Sequence, residues 1–263
     1  MGIRGILFDL DGVLYVGGAS VPGALEVLTW ARDQGIPHLF VTNTSSRPRQ
    51  AVVEKLAGLG ITVEPERLLT PAVAAAQWLG EQPAGPLALF VPEATEAELA
   101  EFPRLPSEAE KGAAAVVVGD LGPSWDFARL NRAFRLLMDQ PAPSLVALGM
   151  TRYWRAEDGL RLDTGAFVQA LAYATGATPV VTGKPAPAFF QAAARELQLD
   201  AASLVMVGDD IRGDIHGAQQ AGLKGLLVRT GKFSPRDLEL DVAPDGVLDS
   251  VAELPSWWAR QAH

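Results

Sequence analysis

Residues 6–15 read ILFDLDGVLY: an apolar run ends in two carboxylates two positions apart, Asp9 and Asp11, and Gly12 follows at once. Like charges this close raise one another's pKa, so their place at a strand end calls for a neutralising cation or a chemical task. The pattern of an apolar run with a polar end recurs in HLFVTN (38–43), PVVTGK (179–184) and LVMVGDD (204–210), and KGLLVRTG (224–231) reads as a further strand. Helical stretches separate these runs. In VPGALEVLTWARDQG (21–35), Pro22 suits a first turn and Gly35 a C-terminal cap, and RPRQAVVEKLAGLG (47–60) closes on Gly60. Apolar strands without polar alternation, joined through helices, predict an α/β protein whose parallel sheet is covered on both faces. Chemistry in such sheets gathers beyond the carboxyl ends of the strands.

The whole chain sets bounds on function. Its 263 residues carry a formal charge of −9 and no cysteine, with a pI near 4.9. The acidic balance argues against a nucleic-acid or membrane-surface partner. The lack of cysteine rules out a disulfide framework and a thiolate nucleophile and suits a cytoplasmic setting. No apolar run approaches the roughly 18 residues of a membrane span, and MGIRGILFDLDG lacks the pattern of a signal peptide. Residues 80–178 change texture, with GEQPAGPLALF, DQPAPSL and the long helix FARLNRAFRLLMD. They read as a second α/β unit inserted into a core made of residues 1–79 and 179–263.

If the strand ends meet, Asp9, Asp11, Asp209 and Asp214 share one crevice. An all-oxygen donor set suits a hard ion such as Mg²⁺, which is readily shared with a substrate phosphate. Asp9 could then attack phosphorus as a nucleophile, and Asp11 could protonate a leaving oxygen and later deprotonate water. Thr42 and Asn43 could hold phosphate oxygens with hydroxyl, amide and backbone groups. Lys184 is one of only five lysines and stands between Gly183 and Pro185, placed to neutralise phosphate and nucleophile together. Each motif also has a local reading. Asp-x-Asp-Gly makes turns, Thr42–Asn43 and Asp209 or Asp210 cap helices, and lysines snorkel at surfaces.

Together DLDGVL, VTN, GKP and VGDDIRGDI, in this order, resemble the haloacid dehalogenase-like (HAD) hydrolase superfamily. GDDIRGDIHGAQQAGLKGLLVRTGKF is similar to its subfamily IIA. LNRAFRLLMD and RYWRAEDGLRLDTGAFVQAL look closest to the branch of the phospholysine phosphohistidine inorganic pyrophosphate phosphatases. The resemblance implies a Rossmann-like core with a large α/β cap and a magnesium-dependent phosphatase that forms an aspartyl-phosphate. The substrate would be a small phosphomonoester, pyrophosphate or a phosphoramidate. It makes Asp9 the nucleophile and Asp11 the general acid/base, with Thr42, Asn43 and Lys184 binding phosphate. Mg²⁺ would be held by Asp9, the Asp11 carbonyl and Asp209, with Asp214 in support. Asp210 stands where several relatives carry a basic residue, a departure that bears on substrate. A homodimer through the cap is a further expectation. Arg152 to Arg155, in RYWR, are the expected cap residues facing the leaving group. A phosphotransferase or mutase on the same site, and a phospho-receiver module, are the rival readings. A receiver would lack both a general acid such as Asp11 and an inserted cap.

Overall fold

The computed structural model describes residues 2–156 and 158–261, with the backbone but not the side chains of residues 154–156. The chain forms two compact units. One holds the residues up to Thr42, Gln50–Leu69 and everything from Lys184 on; the other holds Asn43–Arg49 and Thr70–Gly183.

The first unit is built on a six-stranded sheet in the order Gly246–Leu248, Lys224–Val228, Leu204–Gly208, Gly5–Asp9, His38–Val41, Leu68–Leu69. Every pairing is parallel. The two central strands are buried along their whole length, as expected of a sheet covered on both faces. The helix Ala24–Asp33 lays Ala24, Val27, Leu28 and Ala31 inward, the spacing of one helical face. It begins two residues after Pro22, because Gly23 takes a left-handed φ of 84° where an added Cβ would crowd Ala252. Ile6, Phe8, Phe40, Val205, Val207 and Leu226 join Val27, Leu28 and Leu56 in one core.

The second unit repeats the principle on a smaller scale. Its parallel sheet runs Val180–Val181, Ser144–Ala147, Ala115–Val118, Leu87–Phe90. Alternate residues of each strand enter two cores. Val116 and Val118 meet Leu136 and Leu137 on one face, and Ala115 and Val117 meet Ala72, Ala75 and Leu79 on the other. Helix Phe127–Leu137 is capped by Asp126, and helix Thr164–Thr175 by Asp163. The residues Tyr153–Ala156 and Gly159–Leu162 form an antiparallel hairpin. The architecture is a Rossmann-like parallel core with an inserted α/β cap. One strand differs from the sequence reading: the PVV run pairs with Ser144–Ala147 in the smaller sheet, not with the six. The reason is that two residues of an edge strand carry no signal of which sheet they will complete. No described helix is long and apolar enough to cross a membrane.

Candidate active site

Asp9 ends the strand Gly5–Asp9, and Asp209 follows the neighbouring strand Leu204–Gly208, whose register sets Phe8 against Val207. The sheet thus delivers two carboxylates side by side. Asp214 arrives from the next turn. Ile211–His216 is a π-helical turn, wider than an α-turn, in which Ile215 N donates to the Asp210 carbonyl at 3.2 Å. Gly208 makes room for Asp214, because any Cβ at that position would collide with its carboxyl group. Carboxylate oxygens of Asp9, Asp209 and Asp214 lie within 4.8 Å of one another, and all three residues are buried.

Lys184 ties two of them together. Its Nζ donates to Asp9 Oδ1 at 2.6 Å and to Asp214 Oδ1 at 2.6 Å. Burial alone would lower the pKa of this ammonium, but Asp214 and Asp9 together raise it, so it stays charged. One ammonium cannot compensate three buried acids. Burial therefore raises Asp9 above the usual carboxylate range in spite of Lys184. It lifts Asp209 to about 6, and Asp214 to about 6 with Asp9 adding to the effect. Fully ionised, the group carries three negative charges and one positive, a formal −2.

Asp209 tests whether a cation would fit. Its Oδ2 accepts from Lys232 N at 2.7 Å, while its buried Oδ1 has no hydrogen-bond partner among the described residues. An orphaned, buried carboxylate oxygen in an all-oxygen cluster of net charge −2 fits a hard divalent cation. Gly12 (φ 89°) and Gly231 (φ 62°) wrap the same carboxylate, and a Cβ on either would run into Asp209 Oδ2. Thr230 Oγ1 donates to the Gly12 carbonyl and joins the two loops.

Asp9, Lys184, Asp209 and Asp214 are thus gathered in one place. Thr42 is buried at the end of the strand beside Asp9, in register one step past Val41, and its N–H donates to Leu69 O at 3.2 Å. Asn43 opens the other unit. The following helix starts only at Arg49, so neither residue caps it. Asp11 stays exposed, outside the carboxylate group. Asp210 is the helix cap, its Oδ1 accepting from Arg212 N at 3.0 Å and Gly213 N at 2.8 Å. Of the expected cap stretch, Arg152 lies over the Tyr153 ring at 5.8 Å, and the side chains of Trp154 and Arg155 lie outside the described residues. Sequence reasoning gave no role to the loop Thr230–Lys232. The end-of-strand rule that singled out Asp209 applies equally after Lys224–Val228 and could have found it.

The haloacid dehalogenase-like hydrolase family matches residues 6–102, and a second HAD-hydrolase-like family matches residues 181–254. The human phospholysine phosphohistidine inorganic pyrophosphate phosphatase is 37% identical over 257 residues, 96% of this chain and 93% of the relative. This chain belongs to the haloacid dehalogenase-like hydrolases. Solved structures of the family share its fold. A hypothetical protein of Pyrococcus horikoshii is 27% identical with a TM-score of 0.89, over 97% of this chain and 99% of that one. The p-nitrophenyl phosphatase of Archaeoglobus fulgidus is 28% identical with a TM-score of 0.86, over 98% and 100%. Family, fold and buried Asp9–Asp209–Asp214 group together make the chain a HAD-like phosphatase.

Proposed function

We propose that this phosphatase hydrolyses a small phosphomonoester, or a pyrophosphate or phosphoramidate, by way of a phosphoryl group carried on Asp9. The observation that carries the reading is the sharing of Lys184 between Asp9 and Asp214, with an unsatisfied Asp209 oxygen beside them. Asp9 forms a bond from a carboxylate oxygen to phosphorus as the bond from phosphorus to the leaving group breaks. Asp11, exposed two residues on, gives its proton to the leaving atom. It then removes a proton from the water that attacks phosphorus and frees the Asp9 carboxylate and inorganic phosphate. Thr42 and Asn43 hold phosphate oxygens, and Lys184 orients Asp9 while offsetting phosphate charge. Mg²⁺ would be held by Asp9, the Asp11 carbonyl and Asp209 with Asp214 in support, supplying charge that offsets the repulsion between carboxylate and phosphate.

The human relative's name, which covers phospholysine, phosphohistidine and inorganic pyrophosphate, supports a small phosphorylated substrate. The lack of cysteine supports a cytoplasmic setting. Exposed Leu160, Leu162 and Tyr153 on the cap hairpin support a homodimer formed there.

The test is hydrolysis of p-nitrophenyl phosphate by the full chain with Mg²⁺ and with chelator, beside Asp9→Asn and Asp11→Asn. Metal-dependent turnover is expected in the wild type, with a loss on the order of a thousandfold or more in each variant. Turnover that survives Asp9→Asn would remove Asp9 from the mechanism.

A further inference from the structure

Thr230, Gly231 and Lys232 touch two parts of the proposed chemistry, all within the core unit. They follow the strand Lys224–Val228, which is not a neighbour of Gly5–Asp9, because Leu204–Gly208 lies between the two. Thr230 still reaches the turn after Gly5–Asp9, its Oγ1 donating to the Gly12 carbonyl. The two loops thus meet around Asp209, which follows the strand between them. A Cβ on Gly231 would strike Gly12 Cα as well as the Asp209 carboxylate, and the Lys232 N–H holds Asp209 Oδ2 at 2.7 Å.

The turn that receives the Thr230 bond carries Asp11. Its own backbone closes one side: Leu10 O accepts from Leu14 N at 2.9 Å, and Gly12 N donates to Tyr15 O at 2.7 Å. Gly12 is buried, and a buried carbonyl needs a donor. Thr230 supplies it from outside the turn. Asp9 is held directly, by strand pairing opposite Val41 and by Lys184. Asp11 is exposed, and no side-chain hydrogen bond or ion pair among the described residues holds its carboxylate. The backbone of the turn therefore decides where that carboxylate stands, and Thr230 fixes this backbone to the loop around Asp209.

We propose that Thr230 is a positioning residue for proton transfer: by holding the Gly12 carbonyl it fixes the turn that presents Asp11 to the leaving atom. The inference rests on the phosphatase reading and deepens it. Thr230 acts through Asp11, so it matters most where departure of the leaving group requires a proton. A nitrophenolate leaves without one, and an alkoxide does not.

The test compares p-nitrophenyl, phenyl and 2-phenylethyl phosphate with the full chain in Mg²⁺. The readout is kcat/KM, which covers the steps through departure of the leaving group and leaves out hydrolysis of phosphoryl-Asp9. Thr230→Val keeps the shape and removes the hydroxyl. It should lower kcat/KM about tenfold for the phenylethyl ester, about twofold or less for the nitrophenyl ester, and by an intermediate factor for the phenyl ester. Asp11→Asn should show the same order more steeply. Thr230→Ser, which keeps the donor, should stay within about twofold of the wild type on every ester. An equal fall on all three esters would make Thr230 a structural tie and overturn the proposal, as would a Thr230→Ser variant that behaves like Thr230→Val. If urea unfolding shows that Thr230→Val does not fold, Thr230→Ala carries the same test. A steep Asp11→Asn with a flat Thr230→Val sinks the positioning role alone. A flat Asp11→Asn removes the acid role of Asp11 from the phosphatase reading and this inference with it.

Discussion

The two sheets of this protein obey the same rules and end differently. Both are parallel, both are covered by helices on two faces, and both are made of near-continuous apolar strands. Among the described residues, however, every buried charged side chain lies in the core unit: Asp9, Lys184, Asp209 and Asp214. The cap's buried polar residues are uncharged, among them Thr70, Thr95, Thr164 and Thr182. Burying an ion costs several kcal/mol unless partners repay it, so a fold that needs only packing leaves ions out. The core tolerates them because Lys184 offsets part of the charge and the residual −2 suits a divalent cation. The difference between the two units is chemical and not architectural.

The sharpest way to break the comparison is Lys184→Met. It leaves three buried carboxylates without their ammonium, and a cost of about 3–5 kcal/mol is expected in chelator, together with loss of turnover. Urea unfolding measures it. Added Mg²⁺ should restore part of the stability and none of the activity, and an unchanged midpoint in chelator would show that the core charges are not under tension.

Two glycines carry the contrast into the backbone. Gly231 of the core (φ 62°) lies against Asp209 and Gly12, while Gly176 of the cap (φ 74°) ends a helix with open space around it. Gly176→Ala should cost only the left-handed backbone penalty, about 1 kcal/mol. Gly231→Ala adds a collision with the carboxylate and should cost clearly more and reduce kcat. Equal midpoints for the two variants would mean that the core loop yields freely.

The acids of the core also set a pH dependence. Without metal, burial lifts Asp209 and Asp214 each to about 6 in the fold, well above an ordinary aspartate at about 3.9. The native state binds these protons more tightly than the unfolded chain. The metal-free protein should thus lose stability as pH rises from about 4 to about 6, by about 3 kcal/mol at most for each group, and level off above. The difference in unfolding free energy between wild type and Asp209→Asn, followed in chelator, isolates the effect. A difference that grows in favour of the wild type as pH rises would contradict it. Cation binding must displace the same protons, so Mg²⁺ affinity should weaken below about pH 6.

The smallest effect belongs to the cap. Thr164 Oγ1 is buried without a hydrogen-bond partner among the described residues, so Thr164→Val should change stability by about 1 kcal/mol or less, in the favourable direction. A large loss would mean that the hydroxyl is satisfied in solution and that the cap hides polar dependence of its own.

Much of this was legible in the sequence because strand ends are local. ILFD and LVMVGD announce apolar strands with acids just beyond them, and period and turn chemistry do not depend on the rest of the chain. The choice between Asp209 and Asp210 was not local. Both could cap the turn that follows, and only the packed loop around Gly12 and Gly231 shows that Asp210 caps while Asp209 faces inward. The short PVV strand was equally undecided, because its two pairing residues could complete either sheet.

The sequence by itself determined the class of fold, the alternation of strands and helices, and the acids, lysine and threonine that could do chemistry. Those follow from residue type and spacing over a few positions. Tertiary structure alone decided that Gly5–Asp9 lies between Leu204–Gly208 and His38–Val41. It also decided that one ammonium serves two carboxylates and that one oxygen of Asp209 is left without a partner among the described residues. The physical reason is range: backbone preference acts within a turn or two, whereas the Lys184–Asp9 bond joins residues 175 positions apart and exists only once the first unit has closed its core around both.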